Sequence, residues 1–414
     1  MSGMLPLAGI RVVEFSHMVM GPSCGLVLAD LGADVIKVEP VGAGDNTRRL
    51  PGSGAGFFAT FNRNKRSLAL DLKSAKGIEL ARRLIARADV VTENFRPGAL
   101  DELGLGYESL AASHRGLIYC SLKGFLAGPY EGRAALDEVV QMMGGLAYMT
   151  GPPGQPLRAG ASVNDIMGGM FAAIGILAAL QERARTGSGQ WVKSALFENN
   201  VFLVAPHMAQ FAVTGKPAAP MPARISAWAV YDVFVTADRE QVFVGVVTDT
   251  QWRAFCQAFD LPDLLADPSL ASNPQRVAAR ERVMPRLRAM FAQRTRADIV
   301  ALCEKARLPF APIMKPEELF DDPHLSCPGA MVEVTLADGR TTSLPALPLE
   351  MNGRRFGRRL DLPRAGEHSA AIARELGYGE AEIAALKAEG VLGLDGVQAA
   401  PTGGDKAAAA TSDG

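Results

Sequence analysis

The sequence lacks any surplus of charge. Across 414 residues, 43 Lys and Arg stand against 44 Asp and Glu, a formal net charge of -1. Nucleic-acid binders usually carry a basic excess, and disordered chains combine high net charge with low hydrophobicity, so a chain that is 48% apolar fits neither class. Neutral or small-molecule partners are expected, and no nucleic acid. Cysteine is scarce as well: the five at positions 24, 120, 256, 303 and 327 are odd in number and form no Cys-x-x-Cys spacing. That pattern disfavours a disulfide framework and a zinc site, so no metal and a cytoplasmic location are expected. Long apolar runs are missing too. Glu14, His17 and Asp30 interrupt the N-terminal stretches where a signal peptide would lie. The longest uncharged run, 166–180, contains three glycines and falls short of the roughly 20 residues that span a bilayer, so a buried helix and no membrane partner are expected.

What is present is turn-rich and layered. Glycine (43) and proline (26) imply many tight turns, and at roughly 100 to 200 residues per domain the length allows two or three domains. The first forty residues read as a beta-alpha-beta unit: strand GIRVVEF, loop SHMVMGPS, helix CGLVLADLG, strand ADVIKVE. The alternation continues with a helix over 76–88, strands DVVTENF and GLIYCSLKGF, a long helix over 166–185 ending at Gly187, and a strand pattern in WVKSALFE. This predicts a Rossmann-like α/β region with a parallel sheet. The stretch 206–226, rich in Pro and Ala, reads as a linker. Beyond it, YDVFVTADREQVFVGVV predicts two strands and the residues after it helices, a smaller α+β region ending near Pro316. A hairpin is expected in AMVEVTLADGRTTSLPAL, turning at Asp338 and Gly339, and the Ala- and Gly-rich end, 396–414, is expected to be a disordered tail.

Three glycine-rich motifs invite functional readings. Gly21-Pro-Ser-Cys-Gly25 matches G-x-S-x-G between a strand and a helix, but a nucleophile elbow on the first strand leaves only His368 as a late histidine, so a tight turn is the better reading. GAGDNT starts like a dinucleotide fingerprint but follows the second strand and has Thr47 at the third glycine. PGSGAG reads as a loop, and no G-x-x-x-x-G-K-[ST] occurs. Asp165 stands apart from these. It opens the most apolar helix, where the N–H groups of Ile166, Met167 and Gly168 are expected to lack partners. It is therefore either an N-cap or a carboxylate nucleophile approached closely past Gly168 and Gly169.

At this residue the chain resembles the class III (CaiB/BaiF-type) acyl-CoA transferases. The resemblance runs from about Leu7 to Tyr378 through GIRVVEFSHMVMGP, LGADVIKVE, GAGDNTR, FNRNKRSLALDLK, TENFRPGALDELGLGY, the 158–165 stretch with its glycine-rich helix, and RTGSGQWV. Its motifs are most similar to the succinyl-CoA:dicarboxylate members. The resemblance implies that Asp165 is the catalytic nucleophile, forming an aspartyl anhydride and then an aspartyl-CoA thioester, with CoA as co-substrate and no permanently bound cofactor. An ordinary carboxylate pKa near 3.9 suffices to keep Asp165 ionised.

The resemblance also implies CoA contacts at Val19, Met20, Leu70, Asp71, Leu72, Lys73, Asn94, Phe95, Arg96, Arg133, Ala134 and Ala135. Glu102 departs from the cation that formyl-CoA transferases carry, and PMPARISAWAVY lacks their glycine run, which disfavours oxalate as acceptor. His17, Arg48, Asp137 and Arg224 are candidate substrate contacts, Arg48 and Arg224 with His17 for a distal carboxylate. The implied architecture is an intertwined, ring-like homodimer. Each chain is expected to divide into a large CoA-binding domain (1–215), a small α+β domain (216–319), a return segment completing the large domain (320–395) and the tail. Two other readings remain: an alpha-methylacyl-CoA racemase, which needs a histidine where this sequence has Leu136, and a non-catalytic CoA-binding protein.

Overall fold

The computed structural model of the protein describes residues 4–224 and 226–393; the expected tail at 396–414 lies outside the described residues. The chain divides into two compact units, one formed by 4–222 and 326–393, the other by 223–325. These boundaries fall a few residues after the expected 215/216 and 319/320.

The larger unit is built on a parallel sheet. Strands β1 (Arg11–Phe15), β2 (Asp34–Glu39), β3 (Lys65–Leu70), β4 (Val90–Glu93), β5 (Ile118–Lys123) and β6 (Trp191–Ala195) lie in the order β3-β2-β1-β4-β5-β6. A short strand, Leu392–Gly393, returns from the far end of the described chain and pairs antiparallel with β3. Side chains alternate across the sheet and feed two apolar layers. Val13, Phe15, Leu68 and Val91 face helix α2 (Ala75–Ile85) and the C-terminal helices Ser369–Glu375 and Glu380–Ala388. Val12, Val35, Val90 and Ile118 face helix α1 (Met20–Asp30) and, among later helices, α4 (Val163–Thr186), which follows α3 (Asp137–Met143).

Three element boundaries differ from the sequence reading. Helix α1 starts at Met20, not Cys24, because Pro22 in the first turn forfeits no intrahelical bond. WVKSALFE is a strand only to Ala195; Leu196 opens helix α5 (Leu196–Thr214), which continues through Pro206, so half of the expected linker is helical. One proline removes one hydrogen bond and is outvoted by the turns around it. Helix α4 starts at Val163 and reaches Thr186, ending on Gly187 at φ 70° with Arg183 and Arg185 in its last turn. At 24 residues it is long and apolar enough to cross a membrane by those criteria, longer than the run of 166–180 suggested. One face packs on α1 and the sheet, while Met170, Phe171 and Ile174 on the other are exposed.

The 331–345 hairpin forms as antiparallel strands Met331–Thr335 and Thr341–Pro345, with Gly339 at φ 84° in its turn. The smaller unit has a three-stranded sheet of Val230–Val235, Gln241–Val246 and Phe310–Pro312. Helices Asp249–Ala258, Arg280–Phe291 and Arg296–Ala306 pack on it around Phe234, Phe255, Phe259 and Phe291, an α+β arrangement with its own core.

Candidate active site

The strand order reverses between β1 and β4, and at such a reversal in an open α/β sheet the loops leaving the two strands flank a crevice at the carboxyl end of the sheet. The two loops are tied across it. The backbone N–H of His17 donates to Asn94 Oδ1 (3.0 Å), and Asn94 Nδ2 donates back to the His17 carbonyl (2.8 Å). The His17 ring stacks on Phe95 with centroids 5.6 Å apart, and partial burial lowers its pKa. Three expected residues from two distant segments thus form one rim.

Asp165 sits in the first turn of α4, as its third residue and not as its N-cap. Ser162 occupies the cap position and makes no side-chain cap bond, while its carbonyl accepts the N–H of Ile166. The missing cap comes from another helix. Asp137 Oδ2 accepts the N–H of Asn164 (2.8 Å) and of Asp165 (3.1 Å), and Asp137 Oδ1 accepts from Gln141 Nε2. Gln141 Oε1 in turn accepts the N–H of Ala159 at 2.8 Å. A carboxylate held this way, with three of its roughly four acceptor sites used, is a fixed support for the start of α4.

Because Asp137 does the capping, the Asp165 carboxylate accepts no hydrogen bond from the described residues. Burial, then the negative charge of Asp137, push its pKa up to about 7, with the Arg158 guanidinium opposing. The expectation of an ordinary carboxylate pKa is therefore corrected. The helix N-terminus does not rescue the low value, because the nearby N–H dipoles are already spent on Asp137.

The glycines beside Asp165 have a different role from the expected one. A Cβ at Gly169 would lie 2.0 Å from Ser23 Oγ and 2.6 Å from the Met20 carbonyl, and one at Gly168 2.4 Å from Met20 Cε. They let α4 lie against α1 instead of opening a path to Asp165. This contact brings Val19 and Met20 to the turn that carries Asp165, with Ile166 packed against Val19, Leu26 and Phe61. The G-x-S-x-G motif resolves here too. Gly21 passes over Ser16, whose Cβ would be 2.4 Å from an added methyl; Gly25 passes over Glu14; and Ser23 Oγ is buried and donates to the Met20 carbonyl. Ser23 is therefore not presented as an elbow nucleophile would be.

The remaining expected CoA contacts divide by accessibility. Leu70 is buried in the core and Leu72 packs against it, leaving mainly their backbone for a ligand, while Asp71 Oδ1 accepts the N–H of Lys73, whose side chain is exposed. Arg96 is exposed but bound in bidentate fashion to Glu102 (2.8 and 2.5 Å), so the departure at Glu102 also occupies Arg96. Arg133 lies over the Tyr130 ring, next to exposed Ala134 and half-buried Ala135. Arg48 is a correction. Nε and Nη2 bind Glu39 (2.9 and 2.6 Å), Nη1 binds the Pro363 carbonyl (2.8 Å), and the guanidinium covers Phe58, so its bidentate edge is spent on Glu39 and every nitrogen already has a partner. Arg224 belongs to the smaller unit. Leu136 is exposed and brings no proton-transfer group to the racemase position.

Sequence reasoning missed Gln141 and Arg158. The signal for Gln141 was its i, i+4 spacing from Asp137 on one helix face; Arg158 offered none beyond its charge. Among the described residues no group of three or more His, Cys, Asp or Glu is placed to hold a metal.

Comparison with known proteins gives a consistent picture. The sequence profile of CoA-transferase family III matches residues 7–369. A succinate–glutarate CoA-transferase of Agrobacterium fabrum is 35% identical over 383 residues, covering 90% of this chain and 96% of that protein. A mouse succinyl-CoA:glutarate CoA-transferase is 32% identical, covering 94% and 91%. Among solved structures, a CAIB/BAIF family protein from Brucella suis superposes with a TM-score of 0.80 at 35% identity, covering 90% of this chain and all (100%) of that one.

Proposed function

The chain belongs to CoA-transferase family III, and from that premise we propose that it moves coenzyme A from succinyl-CoA, or a similar dicarboxylyl-CoA, to a carboxylic acid acceptor through Asp165. One observation carries the assignment. Asp165 is half-buried in the first turn of α4, its backbone held by Asp137 and its carboxylate unengaged, beside the loop that carries Val19 and Met20.

In the proposed reaction an ionised Asp165 oxygen attacks the thioester carbonyl, the C–S bond breaks, and CoA leaves as thiolate from a mixed aspartyl anhydride. The thiolate then attacks the aspartyl carbonyl, releasing the donor acid as carboxylate and leaving an aspartyl-CoA thioester. The acceptor carboxylate repeats the first attack, and the thiolate takes the new acyl group, restoring Asp165. No proton or electron is consumed, so no base, metal or redox group is needed and coenzyme A enters only as a substrate. The dicarboxylate preference is supported by the named activities of the two relatives.

The test is direct. Protein incubated with succinyl-CoA and then hydroxylamine is expected to carry a hydroxamate on the peptide containing Asp165. Replacement by Ala is expected to abolish exchange of CoA between succinate and glutarate. Undiminished exchange in that variant refutes the covalent reading.

We also propose a homodimer. Several exposed apolar side chains lie on α3, α4 and α5, among them Met142, Met143, Phe171, Ile174, Phe202 and Phe211, and exposed apolar surface of this kind is what a subunit interface covers. Light scattering that gives the monomer mass at micromolar concentration overturns this. A cytoplasmic location is our further proposal, supported by five cysteines that are all free.

A further inference from the structure

The buried charges of the larger unit are concentrated where the two crevice loops begin. Lys37 on β2 and Lys65 on β3 are fully buried, as is Glu14 on β1, which pairs with both. Lys65 Nζ binds both Glu14 oxygens (3.0 and 2.9 Å), Asn62 Oδ1 (3.2 Å) and the Pro22 carbonyl (2.9 Å). Lys37 Nζ binds the Ser16 carbonyl (2.7 Å), Asp45 Oδ2 (2.8 Å) and, more distantly, Glu14 (3.5 Å). From β5, Lys123 Nζ binds Glu93 Oε2 and the Phe95 carbonyl, both at 2.7 Å. Val12 and Val13 point to opposite apolar layers, so Glu14 and Glu93 anchor these clusters on opposite faces of the sheet.

Stability does not account for the arrangement. Desolvating such ions is costly, and well-packed apolar residues commonly replace a buried ion pair without loss. Fold alone thus gives no reason for three strand lysines to reach main-chain carbonyls, nor for these carbonyls to lie in the loops around His17 and Asn94 and in the first turn of α1 that follows His17. Ser16 and Pro22 bracket the segment with His17, Val19 and Met20, and Phe95 follows Asn94. An ammonium–carbonyl bond fixes a backbone position while leaving the other faces of the loop open to a ligand.

We propose that Lys37, Lys65 and Lys123 are positioning residues for CoA transfer, holding the loops after β1 and β4 in the shape that receives the acyl-CoA. The proposal rests on the functional reading given above. Gly25 follows from the same device: a Cβ there would lie 1.6 Å from Glu14 Oε2 and 2.9 Å from Lys65 Nζ, so the clamp requires a glycine in α1.

The experiment compares K123M, the charge-balanced K123M/E93Q and K37M/D45N with a control that removes a buried pair elsewhere. The control is R63M/D30N, since Arg63 and Asp30 pair at 2.7 Å near the far end of α1 and touch neither loop. The lysine variants are expected to raise KM for succinyl-CoA about ten-fold with kcat within roughly three-fold of wild type, a split expected of lost ligand positioning. The control is expected to lower Tm without moving KM. In a C327S background, which removes the exposed thiol, aminoethylation of K123C rebuilds an ammonium of similar reach and is expected to restore KM. Lysine variants that match the control in both KM and Tm overturn the proposal. If the wild type transfers no CoA at all, the functional reading fails, and calorimetric CoA binding to the same variants decides the lysine question separately.

Discussion

Asp137 supports Asp165 from across a helix junction: its Oδ2 accepts the Asp165 N–H at 3.1 Å, while its charge makes the Asp165 side chain harder to ionise. One carboxylate thus fixes the backbone of the other and adds its charge to burial, the larger cause, in raising that group's proton affinity.

The first prediction concerns pH. An Asp165 pKa of about 7 means that its carboxylate is only partly ionised near neutrality. With Asp165 as nucleophile, kcat/KM for the acyl-CoA is expected to rise with pH and level off above about 7, not above 4. In D137N the like charge is gone and the acid limb is expected to move to lower pH. A flat profile from pH 5 to 8 in the wild type contradicts this assignment.

The same shift predicts a stability effect of opposite sign to that of an ordinary paired aspartate. The folded pKa lies above the unfolded value near 3.9, so the folded state binds the extra proton between pH 4 and 7 and loses stability as pH rises through that window. D165N removes the buried charge. Its Tm is expected to exceed that of wild type at pH 8, with the difference fading toward pH 4.

Close approach of α4 to α1 predicts intolerance of even a methyl at Gly169. G169A is expected to destabilise by about 1–3 kcal/mol, as overpacking does, measured by urea unfolding. Adding S23A is expected to recover only part of the loss, because the Met20 carbonyl, 2.6 Å from the added Cβ, remains.

For Arg48 the structure predicts a structural phenotype. R48M leaves the buried Glu39 carboxylate without its guanidinium partner and is expected to cost about 3 kcal/mol of stability. The ratio of kcat/KM for succinyl-CoA over acetyl-CoA is expected to stay unchanged. A selective loss of succinyl-CoA activity counts against this account.

Much of the chain was readable in advance where local pattern and tertiary structure agree. The apolar runs around Val12, Val35, Val91 and Ile118 are short and mostly apolar on both sides because each strand is covered on both faces, and the chain order of strands and helices follows from them. Pro22 and Pro206 misled because a proline reads as a break, yet its cost depends on which turn it occupies.

The sequence by itself determined the α/β layering, the hairpin at Gly339 and, through its ordered motifs, the likeness to the class III CoA-transferases and the interest of Asp165. Only the tertiary structure decided that Asp137 caps a helix 28 residues away, that Gly168 and Gly169 face α1, and that Arg48 and Arg96 are already bound to Glu39 and Glu102. The physical reason is one of range. Periodicity and turn chemistry act over a few neighbouring residues and are written locally. A side chain's hydrogen-bond partners and proton affinity depend on groups from distant segments, which meet only when the chain is folded.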